Sequence, residues 1–192
     1  MVTVMQIILQ PVLFEPDKDI LSSLEEALLK EFNASSSSSI VIAPSTKQIP
    51  EQQELLLFDN QRNQWKSSDV LQWLLDRYKK LYSKETRRTK ILAICNFDAY
   101  SDKLNFVFGE AHLGGKICAI YLPRLRQEFY GLKPDKSLFY QRIVKEAVHE
   151  LGHAFGLNHC ENIKCVMYFS NSLSDTDIKT NHLCNVCKCH LV

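Results

Sequence analysis

The pattern of apolar residues predicts a mixed α/β (α+β) fold, with helices packed on a mixed sheet that carries an antiparallel strand at its edge. Three observations predict it. Short β-branched runs alternate with stretches of helical spacing up to Cys95. Two further apolar runs meet at Gly114-Gly115. Helical spacing then returns over residues 137–155.

Residues 4–9 are β-branched and apolar, which suits a buried strand. No basic residue precedes this run, Gln6 and Gln10 interrupt it and Pro11 ends it, so it reads as a first core strand and not as an export signal. Ile20, Leu21, Leu24, Ala27, Leu28 and Phe32 recur at helical spacing, with Asp17 and Asp19 available for the helix start. The serines at 35–39 form a loop, and residues 40–43 a short strand that ends before Pro44. Residues 44–66 are polar and show no pattern. Ser67-Ser68-Asp69 offers caps to a helix whose Val70, Leu71, Leu74, Leu75, Tyr78 and Leu81 share a face. Residues 90–95 form the third strand, and strand-helix-strand-helix-strand order implies parallel pairing through right-handed crossovers. Residues 106–111 and 116–122 read as a hairpin, which makes the sheet mixed and puts 106–111 at its edge. A third helix runs over 137–155, and the tail beyond His159 has little regular pattern.

At 192 residues, 45% hydrophobic and 23% charged, the chain fits one domain with its own core. A formal charge of +1 argues against a broad electrostatic grip on nucleic acid, and Lys79-Lys80 and Arg87-Arg88 read as solvated faces. No stretch approaches the roughly 20 apolar residues of a spanning helix, so a cytoplasmic location without a membrane partner is expected. Cys95 and Cys118 sit alone in strand-like runs, whereas cysteines 160, 165, 184, 187 and 189 crowd into the tail. In a reducing compartment such a cluster points to a metal site before disulfides.

His149-Glu150-Leu151-Gly152-His153 lies inside the third helix. Residues four apart on a helix differ by only about 40° in direction and about 6 Å in height, so both imidazoles can face one metal ion. Glu150 falls to the side, within reach of a metal-bound water without ligating the metal, and can take its proton as the water attacks. Gly156 and His159 extend the pattern to HExxHxxGxxH. Glycine at 156 can adopt positive φ and turn the chain back, so that His159 supplies a third nitrogen and one coordination position stays open. Gly152 sits mid-helix against propensity, as close packing would require. Glu146, one turn before His149, is either a solvated carboxylate or an acceptor that orients a ligand. His112, His182 and His190 stand alone and carry no assignment.

Cys160, Cys165, Cys184 and Cys187 make two closely spaced pairs separated by a loop, which suits a closed, tetrahedral structural zinc. A metal there would also fix Cys160, and through it the backbone of His159. Cys189 leaves a 187/189 pairing open, with CxxC the commoner chelate.

The run from His149 to His159, followed by Cys160, Cys165-Val166-Met167 and Cys184–Cys187, resembles the archaemetzincin branch of the metzincin zinc peptidases. A looser likeness reaches upstream through residues 105–111 and Arg124-Leu125. The resemblance implies a mixed, twisted sheet in an upper part (1–156) and a small zinc-clamped lower part (157–192) with a methionine turn. It places Met167 beneath the metal as an apolar floor. The two donor sets together predict two zinc ions per chain, one catalytic and one structural, and the leading reading is a monomeric peptidase acting on peptides or proteins, with aminopeptidase action in view. Two other readings stay open from the residues alone: a non-catalytic zinc module that binds a protein partner, and a hydrolase of a non-peptide amide. A pure binder has no need of a glutamate beside the first histidine or of an open coordination position.

Overall fold

A computed structural model describes residues 4–35, 39–45, 58–81 and 89–191. Most of the 44–66 stretch, the middle of the serine loop, Arg87-Arg88 and the side chain of Leu81 lie outside the described residues.

Five strands form the main sheet: β1 (Val4–Val12), β2 (Ser39–Pro44), β5 (Thr89–Cys95), β7 (Gly109–Ala111) and β8 (Ile117–Tyr121). Their order is β2-β1-β5-β8-β7, parallel throughout except for β7, which runs antiparallel to β8 at the edge. The central strands are apolar on both faces because both faces are covered. Ile7, Leu9, Leu92, Ile94, Cys118 and Ile120 pack with helix α1 (Lys18–Ser35) and helix α3 (Lys136–Ala154). Their alternating neighbours Ile8, Ile91, Ala93, Cys95, Ala119 and Tyr121 pack with helix α2 (Ser67–Leu81). Strand β1 runs through Pro11, beyond the expected end. Pro11 lies past the last β2 pair, Leu9 with Pro44, so the strand is one-sided there and a missing N–H is tolerated.

Three differences from the sequence expectation bear on the site. A second, three-stranded sheet of β3 (Phe58–Asp59), β4 (Gln64–Lys66) and β6 (Ala99–Tyr100) occupies part of the unassigned region. Its strands are too short for period-2 patterning. The expected edge strand over 106–111 narrows to Gly109–Ala111. Val107 donates its N–H to Ala99 O at 2.9 Å instead, so the chain crosses here from the small sheet to the large one. Val107 and Phe108 still bury on opposite faces, which is why the apolar run looked like a longer strand. Finally, the tail holds two short helices, α4 (Leu173–Ile178) and α5 (Asn185–Cys189). A capping box between Ser172 and Asp175 starts the first of them.

Ion pairs fasten the tail to α3. Arg142 grips Asp177 with two hydrogen bonds of 2.8 and 2.7 Å, and Lys145 donates to the carbonyls of Thr176 and Asp177. Glu146 pairs with the fully buried Lys179 at 3.0 Å. Glu146 is therefore neither solvated nor an acceptor for a histidine. Among the described residues no helix is long and apolar enough to cross a membrane.

Candidate functional site

Helix α3 starts on an Asp135 cap, whose carboxylate accepts from Leu138 N at 2.9 Å, and runs into the core. It ends in a Schellman turn: Gly156, at φ +97°, donates to His153 O at 2.9 Å and Leu157 to Gly152 O at 2.9 Å. Lys90, from β5, caps the same end by donating to Ala154 O at 2.6 Å and Gly115 O at 2.8 Å. Its separation in sequence from the helix it caps left no motif by which to find it.

The turn returns the chain so that the side-chain donors of His149, His153 and His159 lie within 4.8 Å of one another. Burial falls along the set, from a buried His149 to an exposed His159, so the cluster opens to solvent on one side. The Nδ1 of His149 sits 2.8 Å from Val166 O, and that of His153 2.7 Å from Leu157 O. A carbonyl only accepts, so each Nδ1 carries the proton and each Nε2 is left with a lone pair. Those two Nε2 atoms face each other 3.1 Å apart. Two lone pairs at that distance repel unless a cation lies between them, and tetrahedral Zn–N bonds would set them about 3.3 Å apart. The donor set therefore fits a metal ion. Burial holds His149 well below the usual histidine pKa, with the Lys179 ammonium and His153 adding to the effect. Burial likewise lowers His153 and His159, which keeps the imidazoles neutral.

Glu150 is buried, and its Oε2 has no hydrogen-bond partner in the protein. Burial, and then the Glu146 charge, raise its pKa well above the carboxylate range, while Lys179 opposes the shift. Strand β7 crosses directly over this carboxylate. A Cβ at Gly109 would stand 2.5 Å from Glu150 Oε1 and 2.7 Å from its Cδ, so only glycine allows the approach. On the other side of the helix a Cβ at Gly152 would collide with Met167 Sδ, which puts the methionine against α3 below the histidines. A cleft of about 560 Å³ opens over the site, with residues 104–111 on one lip and Phe169, Ser170 and Asn171 on the other.

Cys160, Cys165, Cys184 and Cys187 also bring their sulfurs within 4.8 Å of one another. The Cys160–Cys184 and Cys165–Cys187 separations are 3.8 and 3.7 Å. A disulfide needs about 2.05 Å, whereas tetrahedral Zn–S bonds of 2.3 Å give sulfur edges of about 3.8 Å. Cys189 is exposed and outside the group, and Cys95 and Cys118 are buried singly in strands. The two donor sets share one short segment. Cys165 enters the sulfur group, Val166 O holds His149, and Met167 lies under Gly152 while its carbonyl accepts from Cys160 N at 3.0 Å. Among the histidines without assignment, His182 binds the buried Glu31 at 2.7 Å and His190 contacts Val186 O, while His112 is exposed.

A mixed sheet covered by helices on both faces, with HExxHxxGxxH on the last long helix and a cysteine-gathered tail, defines the class of protein to which the chain compares. The sequence model of Peptidase family M54 matches residues 29–192, and the chain belongs to that family. The archaemetzincin of Pyrococcus horikoshii is 46% identical over 130 residues, or 68% of this chain and 66% of that protein. The chain spans between about half and two thirds of the length of the Pyrococcus and Methanocaldococcus archaemetzincins that it matches. The crystal structure of archaemetzincin from Methanopyrus kandleri superposes with a TM-score of 0.75 at 28% identity, covering 97% of this chain and 93% of that one. A zinc-dependent peptidase from Methanocorpusculum labreanum gives 0.74 at 27% identity, covering 98% of this chain and 100% of the other.

Proposed function

We propose that the chain is a zinc-dependent peptidase acting on peptides or proteins, with a catalytic zinc on His149, His153 and His159 and with Glu150 as general base. The observation that carries this reading is the pair of imidazole nitrogens facing each other at 3.1 Å beside a buried, unpartnered carboxylate. Zinc held by these residues would supply Lewis acidity for activating water and polarising the scissile carbonyl.

The protein's own groups do the rest. Val166 and Leu157 carbonyls lock two histidines in the tautomer that presents Nε2. With a dication held by the three histidines, Glu150 would ionise despite its burial, and its carboxylate would take the proton of the attacking water and deliver it to the leaving amine. Tyr121 N donates to Phe108 O at 2.8 Å, so by antiparallel alternation the main-chain groups of Gly109 and Ala111 face the open edge of β7. They are available to pair with an extended substrate as one more strand.

A second zinc on Cys160, Cys165, Cys184 and Cys187 is structural in this reading, fixing the lower part (157–192) under the upper part (1–156) within one catalytic domain. Thiols held reduced for that metal fit a cytoplasmic location.

The test compares wild type with Glu150→Ala in a peptide-library digest alongside a zinc count. The variant should keep its zinc and lose activity by about 10²–10⁴-fold. Unchanged turnover sinks the mechanism. Release of single N-terminal residues marks an aminopeptidase, and internal cuts an endopeptidase.

A further inference from the structure

Exposed apolar side chains crowd around one end of the cleft. Leu104, on the lip, is 37% exposed, and Phe129, Tyr130 and Leu132 on the adjoining segment are 47%, 45% and 60% exposed. A stacked cluster joins the lip to that segment. The Arg124 guanidinium lies 4.5 Å from the centroid of the Phe106 ring and 4.7 Å from that of Phe129, and Phe129 in turn packs edge-on against Tyr130 at 5.3 Å. Phe106 itself lines the cleft, so the stack through Arg124 links Phe129 to the cleft wall.

This surface is built and not incidental. Asp98 holds Arg124 through two hydrogen bonds of 2.7 Å, and Asp98 is held in turn by Gln64 at 3.0 Å. The Tyr130 hydroxyl donates to Arg124 O at 3.3 Å. The guanidinium charge is already matched by Asp98, so the cluster is no anion site. It is a pair of rings fixed around a neutralised cation, with one of them half open to solvent. Rings that are already ordered cost little entropy when a ligand settles on them.

We infer that Phe129 and Tyr130, with Phe106 and Arg124 behind them, form a distal subsite for an apolar, preferably aromatic, side chain of the peptide substrate. The inference deepens the peptidase reading and rests on it for the occupant of the cleft. The distance sets the range: Gly109 overlies Glu150, and the three residues from Gly109 back to Phe106 reach at most about 10 Å. The stack from Phe106 through Arg124 to Phe129 adds up to about 9 Å more, so an extended substrate would place the recognised side chain roughly three to six residues from the bond that is cut. Arg124 is a positioning residue, and Phe129 is the contact.

The test is binding, so that it stands apart from turnover. Fluorescein-labelled decapeptides of alanine and glycine carry one tryptophan moved along the chain, and bind zinc-loaded Glu150→Ala protein to prevent cleavage. At one position the tryptophan should tighten binding about five- to tenfold over the all-alanine peptide. Adding Phe129→Ala should abolish that gain, and Phe129→Trp should keep it. Arg124→Lys, which loses the planar stack, should reduce it. A gain that survives Phe129→Ala, or no tryptophan-dependent binding at any position, overturns the subsite. If the gain is present but wild type cuts no peptide, the subsite stands and the proposed activity fails. If wild type cuts peptides with no tryptophan-dependent gain, the reverse holds.

Discussion

The histidine cluster and the cysteine cluster gather their donors to similar spacing, yet their surroundings differ. Three histidines point into a cleft, step from buried to exposed, and face an unpartnered carboxylate. Four sulfurs close on one another with edges that match a filled tetrahedron. An open set with three ligands leaves room for chemistry, and a closed set of four leaves none. In the proposed reading, donor number and access, more than donor proximity, separate a working site from a clamp. The sulfur set is nonetheless wired to the histidine set, because Cys165, Val166 and Met167 are consecutive and each serves a different one of these contacts.

Breaking the closed set should have the largest effect. Cys165→Ser removes a buried sulfur from the group, and zinc binding at such sites is itself folding free energy. Thermal unfolding should show the tail lost and the melting temperature lowered far more than by any change at the three histidines. A melting curve like that of wild type would erase the distinction between the two sets.

Gly109→Ala should sharpen the comparison from the other side. The atoms nearest the added methyl all belong to the flexible Glu150 side chain, so stability should change modestly while the carboxylate is displaced. Misplacing a catalytic group by about 1 Å can cost on the order of 10²-fold, and kcat should fall by about that much with both metals retained. Equal kcat in the variant would mean that the carboxylate position under β7 is irrelevant to turnover.

Much of this arrangement was legible in the sequence, for identifiable reasons. Strands β1, β2, β5 and β8 and helices α1, α2 and α3 carry long apolar patterns, and their observed bounds lie within a few residues of those expected. The spacing from His149 to His159 reports helix geometry and a glycine turn, both local, so it placed three donors that the structure brings together. What escaped is non-local or short. Lys90 caps a helix 64 residues away, and Glu146 finds Lys179 only because the tail folds back on α3. Trp65 and Tyr100 sit in strands of three and two residues, where no periodicity can develop. Gly109 belongs to no motif, and only the packing of Glu150 beneath it reveals why no side chain fits.

The most direct measurement is a zinc count by mass spectrometry on chelator-free protein for wild type, His159→Ala and Cys184→Ser. The account predicts two zinc ions in wild type. It predicts one in a folded His159→Ala variant, and in Cys184→Ser loss of the structural ion together with a loosened tail. A single zinc in wild type, or loss of both ions from His159→Ala, would contradict it.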